Sequence, residues 1–151
     1  MTTNRLIVIV ALAVAAACAA GPPAPVAIEP GTACAFCKML VSDKHFASEV
    51  LTPHEEPLVF DDLGCLVRLL ENAGGVRPGT VIYVTDHRSN AWILAGRAIY
   101  TRVDDASSPM GTRIVAHESV ASRDADSAVR HGRPIDAAAV FGDVRVLEGS
   151  R

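Results

Sequence analysis

The sequence predicts an α+β fold built from two similar small ββαβ-type halves with antiparallel strands, following an N-terminal signal and spacer. Three observations carry that reading. Short β-rich runs separated by turn formers recur from about residue 38 onward, Thr80–Thr85 (TVIYVT) being the clearest. Leu63, Leu66, Val67 and Leu70 recur at helical spacing, which gives one stretch a single apolar face. The order strand, strand, helix, strand then occurs twice, over roughly 38–86 and 91–148.

The first element reads as a segment separate from the folded unit. Arg5 is a lone positive charge ahead of the uninterrupted apolar run Leu6–Ala17. That run is too short to span a bilayer as a stable helix and reads as the apolar stretch of a secretory signal, so residues 1–17 are assigned to a signal peptide. The tetrapeptide AAAC resembles a bacterial lipobox, with cleavage before Cys18 and lipidation of its sulfur, although Ala15 stands where such signals usually carry leucine. The competing reading is an ordinary A-x-A cleavage with Cys18 an incidental neighbour. Residues 18–32, rich in Pro, Ala and Gly, read as a semi-rigid spacer. Loss of residues 1–17 removes one positive and no negative charge, which takes the formal balance from −3 to −4. A mildly acidic chain with dispersed Lys and Arg argues against a nucleic-acid footprint.

The first half is assigned to 33–88. Met39–Ser42 and Ala47–Leu51 read as strands broken by DKH, TPHEEP as a turn, and Leu58–Phe60 as a third short strand. Asp61 or Asp62 is placed to cap a helix from about Leu63 to Asn72, which AGG terminates. Thr80–Thr85 closes the half. The second half, 89–151, has strands at Ala91–Leu94, Ile99–Val103 and Arg113–His117, and a helix capped by Ser122 running to Arg130. A short segment follows around Pro134–Phe141, then a last strand at Val144–Leu147.

Chemistry concentrates in ACAFCKM, Ala33–Met39. Thiolate and thioether sulfurs are soft donors that suit Cu(I). On an extended chain Cys37 and Met39, two residues apart, project from the same face. Cys34 could join them through a turn. An oxidised Cys34–Cys37 disulfide with Met39 in the core is the plain alternative. A zinc knuckle lacks a second ligand pair, since only Cys65 and scattered histidines remain. If Cys18 is lipidated, Cys34, Cys37 and Cys65 are an odd set that cannot all pair within the chain. Met110, in SSPMGTR, is either a gap-filler or a thioether ligand held by turn formers. Cys65 reads as a small buried residue, and Asp61 and Asp62 as helix caps. His45 lies near the sulfurs in sequence and His117 ends a strand after Met110, whereas His54, His87 and His131 read as solvent-facing. There is no phosphate loop, nucleophile elbow or H-E-x-x-H.

The ordered set C-x-x-C-x-M-x-V-S-D-x-x-F-A, FDDLGCL, YVTDH with its downstream Trp and Tyr, and SPMGTRIVA resembles the NosL family over about residues 33–120. The resemblance implies an exported lipoprotein, not an enzyme, that binds Cu(I) and supplies copper during maturation of nitrous oxide reductase. It also implies two ββαβ-type halves akin to a domain of organomercurial lyase. Its implied partners are the apo reductase and other maturation proteins, and its implied place is the periplasm, lipid-anchored in the inner leaflet of the outer membrane. On this resemblance Cys37 and Met39 form the Cu(I) element, and Met110 of P-M-G is a third ligand. Cys34 and His117 are lesser candidates, His117 standing where many members carry an aromatic residue. Lys38 occupies a position where glycine is usual. Rival readings are an organomercurial-lyase-like enzyme using the cysteines with a carboxylate, and a structural lipoprotein with a Cys34–Cys37 disulfide.

Overall fold

Val81–Thr85, the strongest strand signal, lies inside a sheet rather than at its edge, and in a computed structural model describing residues 21–142 it organises the first half. Strands β1 (Ser48–Leu51), β2 (Leu58–Phe60), β3 (Val81–Thr85) and β4 (Trp92–Leu94) form an antiparallel sheet in the order β2-β1-β3-β4. Glu49 of β1 stands opposite Val59 on one side and Tyr83 on the other. The second half repeats the plan: β5 (Ile99–Arg102) lies between β6 (Ile114–His117) and β7 (Arg133–Ile135). In each half the first strand is central, flanked by the second and by the one that follows the helix. The expected pair of ββαβ units is therefore present.

Helix α1 (Leu63–Asn72) has the expected bounds. Asp62 is its cap: an extended residue whose carboxylate accepts from the Gly64 N–H at 2.7 Å. Leu63, Cys65, Leu66 and Leu70 are buried. Burying each leucine stabilises the fold by about 1.5–3 kcal/mol. The helix stops where Gly74 and Gly75 take positive φ, and the Gly75 N–H donates to the Leu70 carbonyl at 2.8 Å. The leucines pack with Phe60, Ile82 and Val84 of the first sheet and with Tyr100, Ile114 and Ala116 of the second, so the two halves share one core.

Several expectations are corrected. Met39–Ser42 is not a strand; it contributes a single antiparallel bridge, Ala33 to Leu40, that closes a loop. The strand expected at 91–94 pairs with β3 and so widens the first sheet instead of opening the second. The helix expected from Ser122 to Arg130 is shorter: α2 is Val120–Ala125, capped by Ser119, with a separate 3-10 turn at Ser127–Val129. Asp126 separates the two because its backbone is extended and its carboxylate starts the turn. The segment expected near 134–141 divides into β7 and α3 (Ala137–Phe141).

Part of the expected spacer is bound to the fold. The Val26 N–H donates to both carboxylate oxygens of buried Glu49 at 3.1 Å, and Tyr83 Oη donates to the Pro23 carbonyl at 2.9 Å. Ile28 packs with Ala47 and Val59. The assigned signal peptide, Cys18 and the expected strand Val144–Leu147 lie outside the described residues. Among the described residues no helix is long and apolar enough to cross a membrane.

Candidate metal centre

The chain from Thr32 to Val41 doubles back on itself. The Val41 N–H donates to Thr32, the Cys34 N–H to Met39 at 2.7 Å and the Lys38 N–H to Cys34 at 3.1 Å, each onto a carbonyl oxygen. Lys38 closes the turn with φ +66°, the left-handed region that favours glycine. The same residue breaks the alternation that would have set Cys37 and Met39 on one strand face. The two diverge: Cys37 is half-buried, while Met39 is 58% exposed at the rim.

The turn drops Cys34 and Cys37 onto the start of α1. Cys34, Cys37, Asp61 and Cys65 each offer a donor atom, and all four atoms lie within 4.8 Å of one another. The Cys37 thiol donates to Asp61 Oδ1 at 3.7 Å. Cys34, Cys65 and Asp61 are buried, and all three cysteines are free. Burial pushes the Cys37 thiol up, with the Met39 backbone hydrogen bond opposing it. Burial and the neighbouring Cys34 and Cys37 thiols raise Cys65 well above the ordinary thiol range. Asp61 has no salt-bridge partner among the described residues. A buried carboxylate beside three thiols is an unbalanced set that a soft cation would complete, with the thiols losing protons as they ligate it.

Met110 approaches from the other half. Its N–H donates to Asp62 Oδ2 at 3.1 Å, and Thr112 Oγ1 makes a short hydrogen bond to Asp62 Oδ1. Asp62 thus caps α1 and pins the PMG loop to the N-terminus of that helix. Gly64 permits the contact, since a Cβ there would overlap Thr112 Oγ1. Met110 is 41% exposed, so two partly exposed thioethers, Met39 and Met110, belong to the segments that frame the thiols.

The sequence signals for Asp61 and Cys65 pointed to a cap and to core. Cys65 is buried, as expected; the cap is Asp62 rather than Asp61, and Cys65 and buried Asp61 both join the sulfur group. Their proximity to Cys34 and Cys37 has no local signature, because FDDLGC by itself reads as a cap followed by a core residue. His117 is elsewhere. It is fully buried on β6, and its Nε2 lies 3.0 Å from Asp126 Oδ2, which His87 Nδ1 also meets at 2.7 Å. His87, expected in solvent, is largely enclosed, and His45 sits against His87 with ring centroids 5.6 Å apart. Burial alone would raise the Asp126 pKa, but hydrogen bonds from His87, His117 and the Ala128 N–H hold it down, at about 2.

The family model NosL matches residues 25–140. No curated protein and no solved structure matches the chain. With the model spanning most of the sequence and all four motifs inside it, the chain belongs to the NosL family.

Proposed function

We propose that this chain is a periplasmic Cu(I)-binding lipoprotein, anchored through Cys18, that hands copper to apo nitrous oxide reductase during assembly of its catalytic centre. The observation that carries the reading is the convergence of Cys34, Cys37, Cys65 and Asp61, with exposed Met39 and Met110 on the adjoining segments. Thiolates hold Cu(I) tightly enough to keep it reduced, whereas thioethers bind it weakly and exchange. A carrier needs both, because a partner's ligands must displace the ion stepwise. The divergence of Cys37 and Met39 fits division of labour: Cys37 retains the ion and Met39 meets the partner. Family membership supports a copper role.

The test is an anaerobic Cu(I) titration against a competing chelator, comparing the parent with Cys37→Ser, Cys65→Ser and Met39→Leu. Each cysteine variant is expected to lose at least about 100-fold in affinity, since a soft donor and its charge are removed together. Met39→Leu loses less in affinity but slows transfer to the apo reductase. Weak parent binding, with Cys37→Ser and Met39→Leu both matching it, would sink the carrier reading.

A second reading rests on the same convergence. Thiols beside a carboxyl group are the equipment for cleaving a carbon–mercury bond: the acid proton goes to the carbon, the C–Hg bond breaks and the thiolates keep Hg(II). Release of benzene from phenylmercury, lost in Asp61→Asn, would support it. Stoichiometric capture of phenylmercury with no benzene would exclude it.

A further inference from the structure

We propose that His87, His117 and Asp126 form a second metal site, distinct from the sulfur group, for a borderline divalent cation of the zinc class. One donor atom from each lies within 4.8 Å of the other two. The three come from separate elements: His87 from the loop after β3, His117 from the end of β6 and Asp126 from the break after α2. None of these elements supplies a residue to the sulfur group.

The geometry is close to that of a bound ion. His87 Nδ1 and His117 Nε2 converge on the same oxygen, Asp126 Oδ2, at 2.7 and 3.0 Å. Donor atoms around a tetrahedral zinc ion stand about 3.3 Å apart, so each of these two histidine–Asp126 edges must open by only a few tenths of an ångström. The other carboxylate oxygen, Oδ1, is held by the Ala128 N–H at 2.9 Å, which fixes the direction of Oδ2. Two imidazoles and one carboxylate make a harder set than three thiols and select a divalent ion over Cu(I).

Burial argues against simple packing. The side chains of His87, His117 and Asp126 are 15%, 0% and 9% exposed. His117 Nδ1 is buried with no hydrogen-bond partner, so no acceptor fixes which of the two ring nitrogens carries the proton. In the metal-free protein each imidazole donates its ring proton toward Asp126. On binding, that proton moves to the opposite ring nitrogen, and the freed lone pair ligates the ion. His117 Nδ1 is free to take it. Access is by way of His87, which lines a cavity of about 230 Å³ together with Phe46, Val103, Asp105, Ser107 and Val129. His45 does not complete the set, because its Nδ1 is bonded to the His87 carbonyl and its Nε2 faces Asn90. The fourth position is left to water.

A resident ion would tie the first half, through His87, to the second, through His117 and Asp126. The site is read by zinc titration of the Cu(I)-loaded full domain, with Tm and the zinc K-edge X-ray absorption spectrum as readouts. One Zn(II) per chain is expected beyond the copper, with N/O donors only and a raised Tm. His87→Phe and Asp126→Asn should each lower zinc affinity at least about 100-fold while leaving Cu(I) affinity at the parent value. His117→Phe should do the same, and if it fails to fold the other two variants decide. No added zinc, sulfur scattering at about 2.3 Å, or parent-like zinc binding in His87→Phe overturns the proposal. Failure of the copper reading is separable: Cys37→Ser would then leave Cu(I) affinity unchanged, while zinc on N/O donors still reports on the histidines.

Discussion

Gly64 is the point at which the helix cap, the sulfur group and the PMG loop meet, and replacing it with alanine tests whether that junction is built as described. In an ordinary helix, Gly→Ala stabilises by about 0.5–1 kcal/mol through reduced backbone entropy. Here the added Cβ overlaps Thr112 Oγ1 and lies 3.1 Å from Asp62 Oδ1. Thr112 must swing away and lose its hydrogen bond to the Asp62 carboxylate, a charge-assisted contact worth about 1.5–3 kcal/mol. The expected net effect is therefore a loss of about 1–2 kcal/mol instead of a gain. In a Thr112→Ala background the hydroxyl is gone, the nearest remaining Thr112 atom (Cβ) is 3.5 Å away, and the usual helix gain returns. Urea denaturation of the four proteins gives the coupling energy directly, expected at about 2 kcal/mol. A Gly64→Ala change that stabilises the parent as much as it stabilises Thr112→Ala would refute the close approach. The docking of Met110 that depends on it would fall as well.

Two further outcomes follow from local geometry and from protonation. Burial raises both Cys37 and Cys65, so near neutral pH both are thiols and each must release a proton to ligate Cu(I). Affinity therefore rises with pH: its logarithm should climb by about one per pH unit for each ligating thiol, or about two in all from these two cysteines between pH 6 and 7, read by chelator competition. A flat profile would mean that these sulfurs do not ligate. At Lys38, with φ +66°, glycine removes a left-handed strain of about 1–2 kcal/mol but adds entropy to the unfolded chain, for a net gain of up to about 1 kcal/mol. Lys38→Val, β-branched, should instead lose about 1–2 kcal/mol by urea denaturation, and equal stabilities of the glycine and valine variants would rule out the turn.

Much of the fold was legible because its signals are local. The bounds of α1 follow from Asp62, the leucine spacing and the glycines beyond, all within the single stretch 62–75. Thr80–Thr85 and Leu58–Phe60 read as strands because runs of β-branched and aromatic residues suit a pleated surface wherever they pair. Errors arose where local signals competed. Ser119 and Ser122 are both competent caps, and the chain uses the one that leaves Ser122 Oγ free to donate to Asp86 at 2.8 Å, across the junction of the halves. Met39–Ser42 has strand-like residues, but Lys38 turns the chain just ahead of them and leaves only one bridge.

By itself the sequence determined the residue types and therefore the chemistry: soft sulfur donors crowded at 34–39, a distant methionine between turn formers, and two histidines on or beside strands. It also determined the duplicated strand–helix order, since each element is specified by its own composition. Which donors meet was decided by tertiary structure alone. Cys65 and Asp61 reach Cys34 and Cys37 because β2 delivers the chain to the start of α1 beneath the turn at 34–39, where the Ala35 N–H donates to the Val59 carbonyl at 2.8 Å. His117 goes with His87 because the two sheets join there, the His87 N–H donating to the Ala116 carbonyl at 2.8 Å. Contacts between residues 24 to 39 positions apart depend on how sheets and helices close around a common core, and no window of sequence contains that closure.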